Sequence, residues 1–371
     1  MRIAFYKILV INILCINIIF AQSEKYLKLE PSIERMMQKY HCPGLSIAVV
    51  EKGKIVYAKG FGFADVSKKD SVTTNTLFQA ASLSKTPTAF LTLQAVEKGL
   101  FKLDENANEY LSKWKIEEDK SKRKRNYVTL RGLLSHTAGV NMHGFHGYEK
   151  AAYPPSILDI LKGEPPAQNQ VIRLIEKPNF RFHYSGGGYM IVQEILEEKY
   201  QIPFETLVKD SLFAKIGMKY STYETFPDSN FQVAKGYFME RKKLQEVEHF
   251  HPEKAAAGLW TTPSDLALFM IEIQKALKGK SVLLKKETAM LFHKRIMTSD
   301  FIGGDVALGF FVNHYGTGQN YFGHGGGNEG FTSEILIGFK EDFAVAIMCN
   351  GLFQKNITGD IIQDLLHNYW K

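Results

Sequence analysis

Ser-x-x-Lys occurs three times in the chain, as Ser82 with Lys85, Ser112 with Lys115 and Ser121 with Lys124. Residues three apart on a helix share a face, so each spacing can bring a lysine amine to a serine hydroxyl. A serine hydroxyl is a weak nucleophile until a base takes its proton, and a buried lysine, which holds its own proton poorly, can be that base. Context separates the three. Ser112 and Ser121 lie in lysine-rich, surface-like segments, whereas Ser82 follows Phe78-Gln-Ala-Ala and opens an apolar helix closing at Lys98 and Gly99. Pro87 falls in the first turn, where backbone amides lack acceptors anyway. The positive end of that helix favours an anion developing at Ser82. On this motif alone, a Ser N-cap followed by a surface lysine is the simpler reading.

Two further segments reverse that preference. Arg181-Phe-His-Tyr184-Ser-Gly-Gly-Gly-Tyr189 places a tyrosine beside a glycine run immediately before a helical pattern, and Phe322-Gly-His324-Gly-Gly-Gly327 places a histidine and bare backbone just before an apolar strand. In order and spacing, Ser82-Leu-Ser-Lys85, Tyr184-Ser-Gly186 and His324-Gly-Gly326 resemble the three active-site motifs of the serine β-lactamase-like superfamily, in its class C, D-alanyl-D-alanine carboxypeptidase and esterase branch. Pro43 to Val49, Val128 to Gly139 and Ala256 to Leu266 also resemble that branch, so the likeness runs from about residue 30 to the end.

The resemblance implies a role for each matching residue. Ser82 becomes the acylated nucleophile, and Lys85 with Tyr184 the general base and acid. The backbone amides of Ser82 and Gly327 become the oxyanion hole, and Gly186, His324 and Gly326 border the substrate. It also exposes two departures. The second motif usually ends in Asn, where this chain has Gly186, and a lysine often opens the third motif, where this chain has His324, charged only part of the time near neutral pH. Both predict weak β-lactam hydrolysis without forbidding acyl transfer. The expected function is an exported serine hydrolase cleaving an ester or amide, possibly in a D-amino-acid peptide. The alternatives are a class C-like β-lactamase and a slow penicillin-binding or sensor domain. The mechanism needs no cofactor and no metal.

Other patterns carry less. Gly325-Gly-Gly327-Asn-Glu-Gly330 matches a dinucleotide fingerprint, yet a strand-like run follows it instead of the required helix. His324 to Gly327 echoes a lipase oxyanion loop, but the chain has no Gly-x-Ser-x-Gly elbow. His249 and His251 have no nearby partners to complete a zinc site and read as two exposed loop histidines. His136 and Asp265 read as structural, at a helix end and within the helix that begins at Pro263. The segment 140–180 reads as a wall of the cleft.

The elements that must hold these residues fall into two groups. Gly44 to Val50 and Lys54 to Ala58 read as a hairpin. Ala307 to Val312, Tyr321 to Phe322, Phe331 to Ile337 and Phe343 to Cys349 read as strands, followed by an amphipathic helix from Ile357 to Trp370. Helical periodicity dominates the middle, at 88–98, 130–135, 156–161, 189–199, 204–212 and 263–277. The fold class is therefore α+β: an antiparallel sheet built from both chain ends (about 24–80 and 300–371) and flanked by helices, with a mostly helical inserted lobe (about 81–299). A cleft between the two lobes is the natural ligand site.

Of 371 residues, 45% are hydrophobic and 23% charged, which excludes disordered, collagenous and coiled-coil chains. Arg2 and Lys7 precede an apolar run from Ile8 to Phe20 and then Ala21-Gln-Ser23, so residues 1–23 read as a signal peptide and residues 24–371 as the hydrolase, periplasmic or secreted. Thirteen residues, interrupted by Asn12 and Asn17, are too few to span a bilayer, and Leu14 is too bulky for a lipidation site at Cys15. Without that segment the 46 basic residues fall by two, to 44 against 39 acidic. The densest basic stretch, Lys120 to Arg125, has no interleaved aromatics and reads as a solvated loop, so no nucleic-acid partner is expected. The expected partner is a small-molecule or peptide substrate. Cys42 and Cys349 read as two buried thiols, with a disulfide as the less favoured alternative.

Overall fold

The computed structural model describes residues 24–117, 127–241, 243–313, 320–351 and 357–370. The expected signal segment 1–23, the Ser121 and Lys124 pair and the basic stretch 120–125 lie outside the described residues.

Nine strands form one antiparallel sheet from two distant parts of the chain. The first part gives β1 (Gly44–Glu51), β2 (Lys54–Asp65) and β3 (Asp70–Ser71). The second gives β4 (Met297–Ser299), β5 (Gly304–Val306), β6 (Phe311–Val312), β7 (Tyr321–Asn328), β8 (Phe331–Gly338) and β9 (Phe343–Cys349). Their spatial order is β4-β5-β6-β7-β8-β9-β1-β2-β3, so β1 pairs with β9 and closes the two chain ends on each other.

Alternation along β1 and β9 assigns the two faces. Leu45, Ile47 and Val49, with Val345 and Ile347, join an outer apolar layer under two terminal helices, α1 (Glu30–Tyr40) and α5 (Ile357–Asn368). Ala48 faces its register partner Ala346 on the inner side. Small residues there let the long helix α4 (Pro263–Leu277) lie close against the sheet. Behind α4 the helices α2 (Lys85–Glu97) and α3 (Gly186–Tyr200) fill the inner core with Phe90, Leu93, Ile191 and Ile195.

The α+β class and the sheet built from both ends are as expected. The middle is less uniformly helical than periodicity suggests, because a hairpin of Gly236–Glu240 and Lys243–Val247 lies inside it. The run Tyr321–Phe322 extends through the glycines to Asn328, since pairing with β8 stabilises a stretch that lacks strand propensity. Cys42 and Cys349 are buried free thiols, and burial pushes the Cys42 thiol up. Among the described residues no helix is long and apolar enough to cross a membrane.

Candidate active site

Ser82 occupies a single 3-10 turn, Ala81–Ser84, that runs into α2 at Lys85. The spacing places Ser82 at the N-terminus of an apolar helix, and this turn stands at that entrance. Ala81 is held at φ 49°, a left-handed conformation that a non-glycine residue adopts only when its surroundings impose it. Those surroundings are visible. The Ser84 hydroxyl donates to Ala81 O (2.5 Å) and accepts from Leu259 N (2.9 Å), and the Ser84 carbonyl accepts from the Tyr223 hydroxyl (2.6 Å).

Lys85 is 2% exposed, although it carries an amine. Its Nζ donates to Ser82 Oγ at 3.1 Å and to the carbonyl of Ala256 at 2.7 Å. It also lies over the rings of Tyr184 and Tyr189, 5.1 and 5.6 Å from their centroids. Among the described residues no carboxylate pairs with it, and burial lowers its pKa to about 7. At neutral pH the amine is therefore neutral in a large fraction of molecules and free to accept the Ser82 proton.

Tyr184 precedes α3, whose N-cap is Ser185. The Ser185 hydroxyl accepts from Gly188 N (2.9 Å) and donates to Asn141 O (2.5 Å). His136 anchors the same turn: its Nδ1 accepts from Ser185 N at 3.0 Å, and its ring stacks on Tyr184 with centroids 4.2 Å apart. Burial, followed by the charge of Lys85, pushes the His136 pKa well down, so it serves as a neutral acceptor and a shelf. Burial also raises the Tyr184 phenol, partly offset by a hydrogen bond with Ser82. The hydroxyl thus keeps its proton and stands at the nucleophile.

Strand β7 closes the site. A side chain at Gly326 would put its Cβ 2.3 Å from Ala80 O and 3.0 Å from Ser82 N, so only glycine lets this strand meet the Ser82 turn. Gly327 follows on the exposed rim of the strand. His324 is 3% exposed, its ring stacked on Phe311 (4.7 Å) and 6.3 Å from Tyr184, and its Nδ1 lies 2.6 Å from Gly325 O. It stands in the wall of the cleft rather than reaching into it. Beyond it, Asn328 Nδ2 donates to Gln79 Oε1 (2.7 Å), tying β7 to the floor.

All seven predicted positions therefore converge from three separate parts of the chain. The competing motif does not: Ser112 donates to Glu198, and Lys115 turns to the carbonyl of Asn108 (2.6 Å) and that of Leu111. Three contributors escaped the sequence reading. The Ala256 carbonyl belongs to a segment visible as family-like, but the bond it makes to Lys85 has no sequence signature. His143 lies 4.8 Å from the Tyr184 ring, and Phe145 lies 3.0 Å from where a Gly186 side chain would start, so the 142–147 loop fills the space that Asn takes in the familiar second motif. The pattern Gly186-Gly187 hinted at that close approach without naming the neighbour. His251 corrects an expectation: it is 4% exposed, packed against Gly147, where any side chain would meet its Nε2 at 2.8 Å. Asp265 holds Tyr220 N (2.7 Å) and the Ser221 hydroxyl (2.8 Å), and is structural as expected.

This geometry has parallels. Protein flp of Staphylococcus aureus (strain MW2) is 24% identical over 338 residues, which cover 87% of this chain and 62% of that protein; the chain thus spans less than two thirds of the length of this curated relative. Among solved structures, the octameric penicillin-binding protein homologue from Pyrococcus abyssi superposes with a TM-score of 0.76 at 23% identity, covering 91% of this chain and 76% of that one. D-amino acid amidase from Ochrobactrum anthropi SV3 superposes with a TM-score of 0.73 at 20% identity, covering 92% and 98%. The sequence model of the Beta-lactamase family matches residues 29–367, and with that span the chain belongs to the β-lactamase-fold family of serine hydrolases.

Proposed function

We propose that this protein is an exported serine hydrolase that cleaves an ester or amide bond, possibly in a D-amino-acid peptide, through an acyl-enzyme on Ser82. The observation that carries the proposal is the buried Lys85 amine, with its pKa lowered to about 7, 3.1 Å from Ser82 Oγ. In the first half-reaction Lys85 takes the Ser82 proton as Oγ attacks the carbonyl carbon. The oxygen that becomes negative is met by the amides of Ser82 and Gly327. Tyr184, already bonded to Ser82, passes a proton to the leaving alcohol or amine, and Lys85 restores it. Water then displaces the acyl group by the reverse route. His324 and Gly326 border the substrate, and the N-terminal 23 residues direct export.

Phe145 and the backbone of His143 fill the place of a second-motif carboxamide, which removes a donor and an acceptor for a β-lactam side chain. This favours esters and small amides over penicillins. Incubation with a fluorophosphonate followed by peptide mass spectrometry, alongside turnover of a p-nitrophenyl ester, tests the proposal. Labelling and turnover should both vanish in Ser82→Ala and persist in Ser112→Ala. A label that forms with no turnover of any ester, amide or cephalosporin would instead support a slow binding or sensor domain. Preference for the cephalosporin would support a β-lactamase.

A further inference from the structure

Of the three cysteines in the chain, Cys15 lies in the expected signal segment, which leaves Cys42 and Cys349 for the mature protein. They are about 300 residues apart in sequence, yet the fold brings both into the outer apolar layer of the sheet. Backbone structure fixes each of them. His41 caps the C-terminus of α1 in a left-handed conformation, φ 54°, and Cys42 N donates to Met37 O at 2.9 Å, so the chain turns there and delivers Cys42 to the start of β1. Cys349 ends β9, in register with Leu45 of β1 on one side and Thr332 of β8 on the other. The two residues then share one corner. Cys42 Sγ donates to Gly44 O at 3.3 Å, and the same carbonyl accepts from Asn350 N, next to Cys349, at 3.1 Å. Burial holds the Cys42 thiol in its protonated form, and so, to a smaller extent, does its contact with the Cys349 thiol.

Burial alone does not distinguish a disulfide site from two inert core thiols, since cysteine is among the residues most often buried. Pairing and access do. Cys42 lines an open cleft of about 610 Å³ together with Met37, Pro43 and Phe61, so a reagent can reach it, while Cys349 is fully buried. A metal does not account for the pair, because among the described residues no group of three or more His, Cys, Asp or Glu side chains is placed to hold one. We propose that Cys42 and Cys349 are a disulfide site, oxidised once the protein has left the reducing cytoplasm, and that the bond staples the two chain ends together where β1 meets β9. The oxidant is another disulfide, carried by a small thiol or by an oxidoreductase. Cys42, as the thiolate, attacks one sulfur of that disulfide and releases the other as a thiolate. Cys349 then attacks the Cys42 sulfur of the mixed disulfide, which forms the Cys42–Cys349 bond and releases the second thiolate. The pair of cysteines loses two electrons, the oxidant gains them, and the two cysteine protons pass to the two released thiols. The bond closes a loop around nearly the whole domain, so it chiefly restricts the unfolded chain. It lies on the face of the sheet away from Ser82, so it adds stability without altering turnover.

This inference draws on the export reading for its oxidising compartment. The test treats the purified, reduced full chain with excess oxidised glutathione or with none, and follows peptide mass spectrometry, thermal unfolding and p-nitrophenyl ester turnover. The peptide holding Cys42 should become linked to the peptide holding Cys349, with loss of both thiol hydrogens, and the melting temperature should rise by ~5 °C or more while turnover is unchanged. The double variant Cys42→Ala, Cys349→Ala should show no difference between the oxidised and reduced samples, whatever its own stability. Thiols that remain open to alkylation, a glutathione adduct that persists on Cys42, a link to Cys15 instead, or a bond that leaves the melting temperature level or lower overturns the proposal. So does a loss of turnover on oxidation. Export and pairing fail separately: a producing bacterium that keeps the chain in its cytoplasm overturns export, while exported protein with both thiols free, or failure in the glutathione arm, overturns the disulfide.

Discussion

The two faces of the central sheet differ in what they bury, although the outer one also holds the Glu334 carboxylate, bonded by the Thr358 hydroxyl. Outside, α1 and α5 cover β1 and β9 with aliphatic and aromatic side chains such as Ile33, Ile47, Ile347 and Ile361, all fully buried. Inside, the layer that reaches the cleft buries Lys85, Thr88, Thr92, His136, Glu253 and Ser333 among its apolar residues. Apolar burial on the outer face contributes stability roughly in proportion to area. Each polar group on the inner face costs free energy unless a partner offsets it, and Lys85 is offset by one carbonyl, one hydroxyl and two tyrosine rings. The difference teaches where function is stored: in the face that holds groups away from their preferred state in water.

Substitutions on the two faces should therefore separate activity from stability. The largest effect is expected from Ser82→Ala, which removes the attacking oxygen and little buried area; turnover and covalent labelling should disappear while the melting temperature stays within a few degrees. On the outer face, Ile361→Ala should cost ~2–5 kcal/mol in denaturant unfolding. Its activity per folded molecule should be retained. If Ile361→Ala instead lowered activity at full folding, the division between the faces would be wrong.

Lys85→Met should combine both signatures. Acylation of Ser82 should fall by ~10² or more, the scale for losing positioned acid-base catalysis. Stability should rise by ~1–3 kcal/mol near pH 7. The sign follows from linkage. The folded-state pKa, about 7, is below that of the unfolded chain, so the unfolded chain binds the proton more tightly. The penalty on the folded state is complete below pH 7 and fades as pH rises towards the unfolded value near ~10.4. Calorimetry of wild type and variant across that range checks it, and a destabilised Lys85→Met at pH 7 would contradict the account.

The smallest change is in a single methyl group. Gly326→Ala puts a carbon against Ala80 O and the Ser333 hydroxyl, which itself donates to Ala80 O at 2.6 Å. The strand must move away from the Ser82 turn, so acylation should slow by ~10-fold or more with only a modest fall in stability. Unchanged kinetics in this variant would mean that the amide of Gly327 does not have to sit close to Ser82.

Much of the outer face can be read from the chain. Alternation in Leu45, Ile47 and Val49 and the amphipathic run from Ile357 specify which side is buried, because local periodicity and burial agree there. The inner face is legible only where chemistry imposes a motif. Ser82 with Lys85 share a helical spacing, and glycine at 326 marks a close backbone approach. The Ala256 carbonyl and His143 leave no such trace, because their contacts, to Lys85 and to the Tyr184 ring, join segments far apart in the chain, and a buried residue of either type looks like a surface one in sequence. His251 shows the same limit, since its burial requires a glycine at position 147, more than 100 residues away. The hairpin at 236–247 was missed for a related reason: Lys243, Glu246 and Glu240 are charged, and only cross-strand pairing makes the segment a strand.

The central claim is that Lys85 activates Ser82 as a neutral amine, and the most direct measurement is the rate of fluorophosphonate labelling at Ser82 from pH 5.5 to 9. The account predicts a rate that rises with pH, bends near 7 as Lys85 loses its proton and is level above it, with the bend abolished in Lys85→Met. A rate independent of pH across this range, or one still rising steeply at pH 9, would show that Lys85 keeps an ordinary ammonium and is not the base.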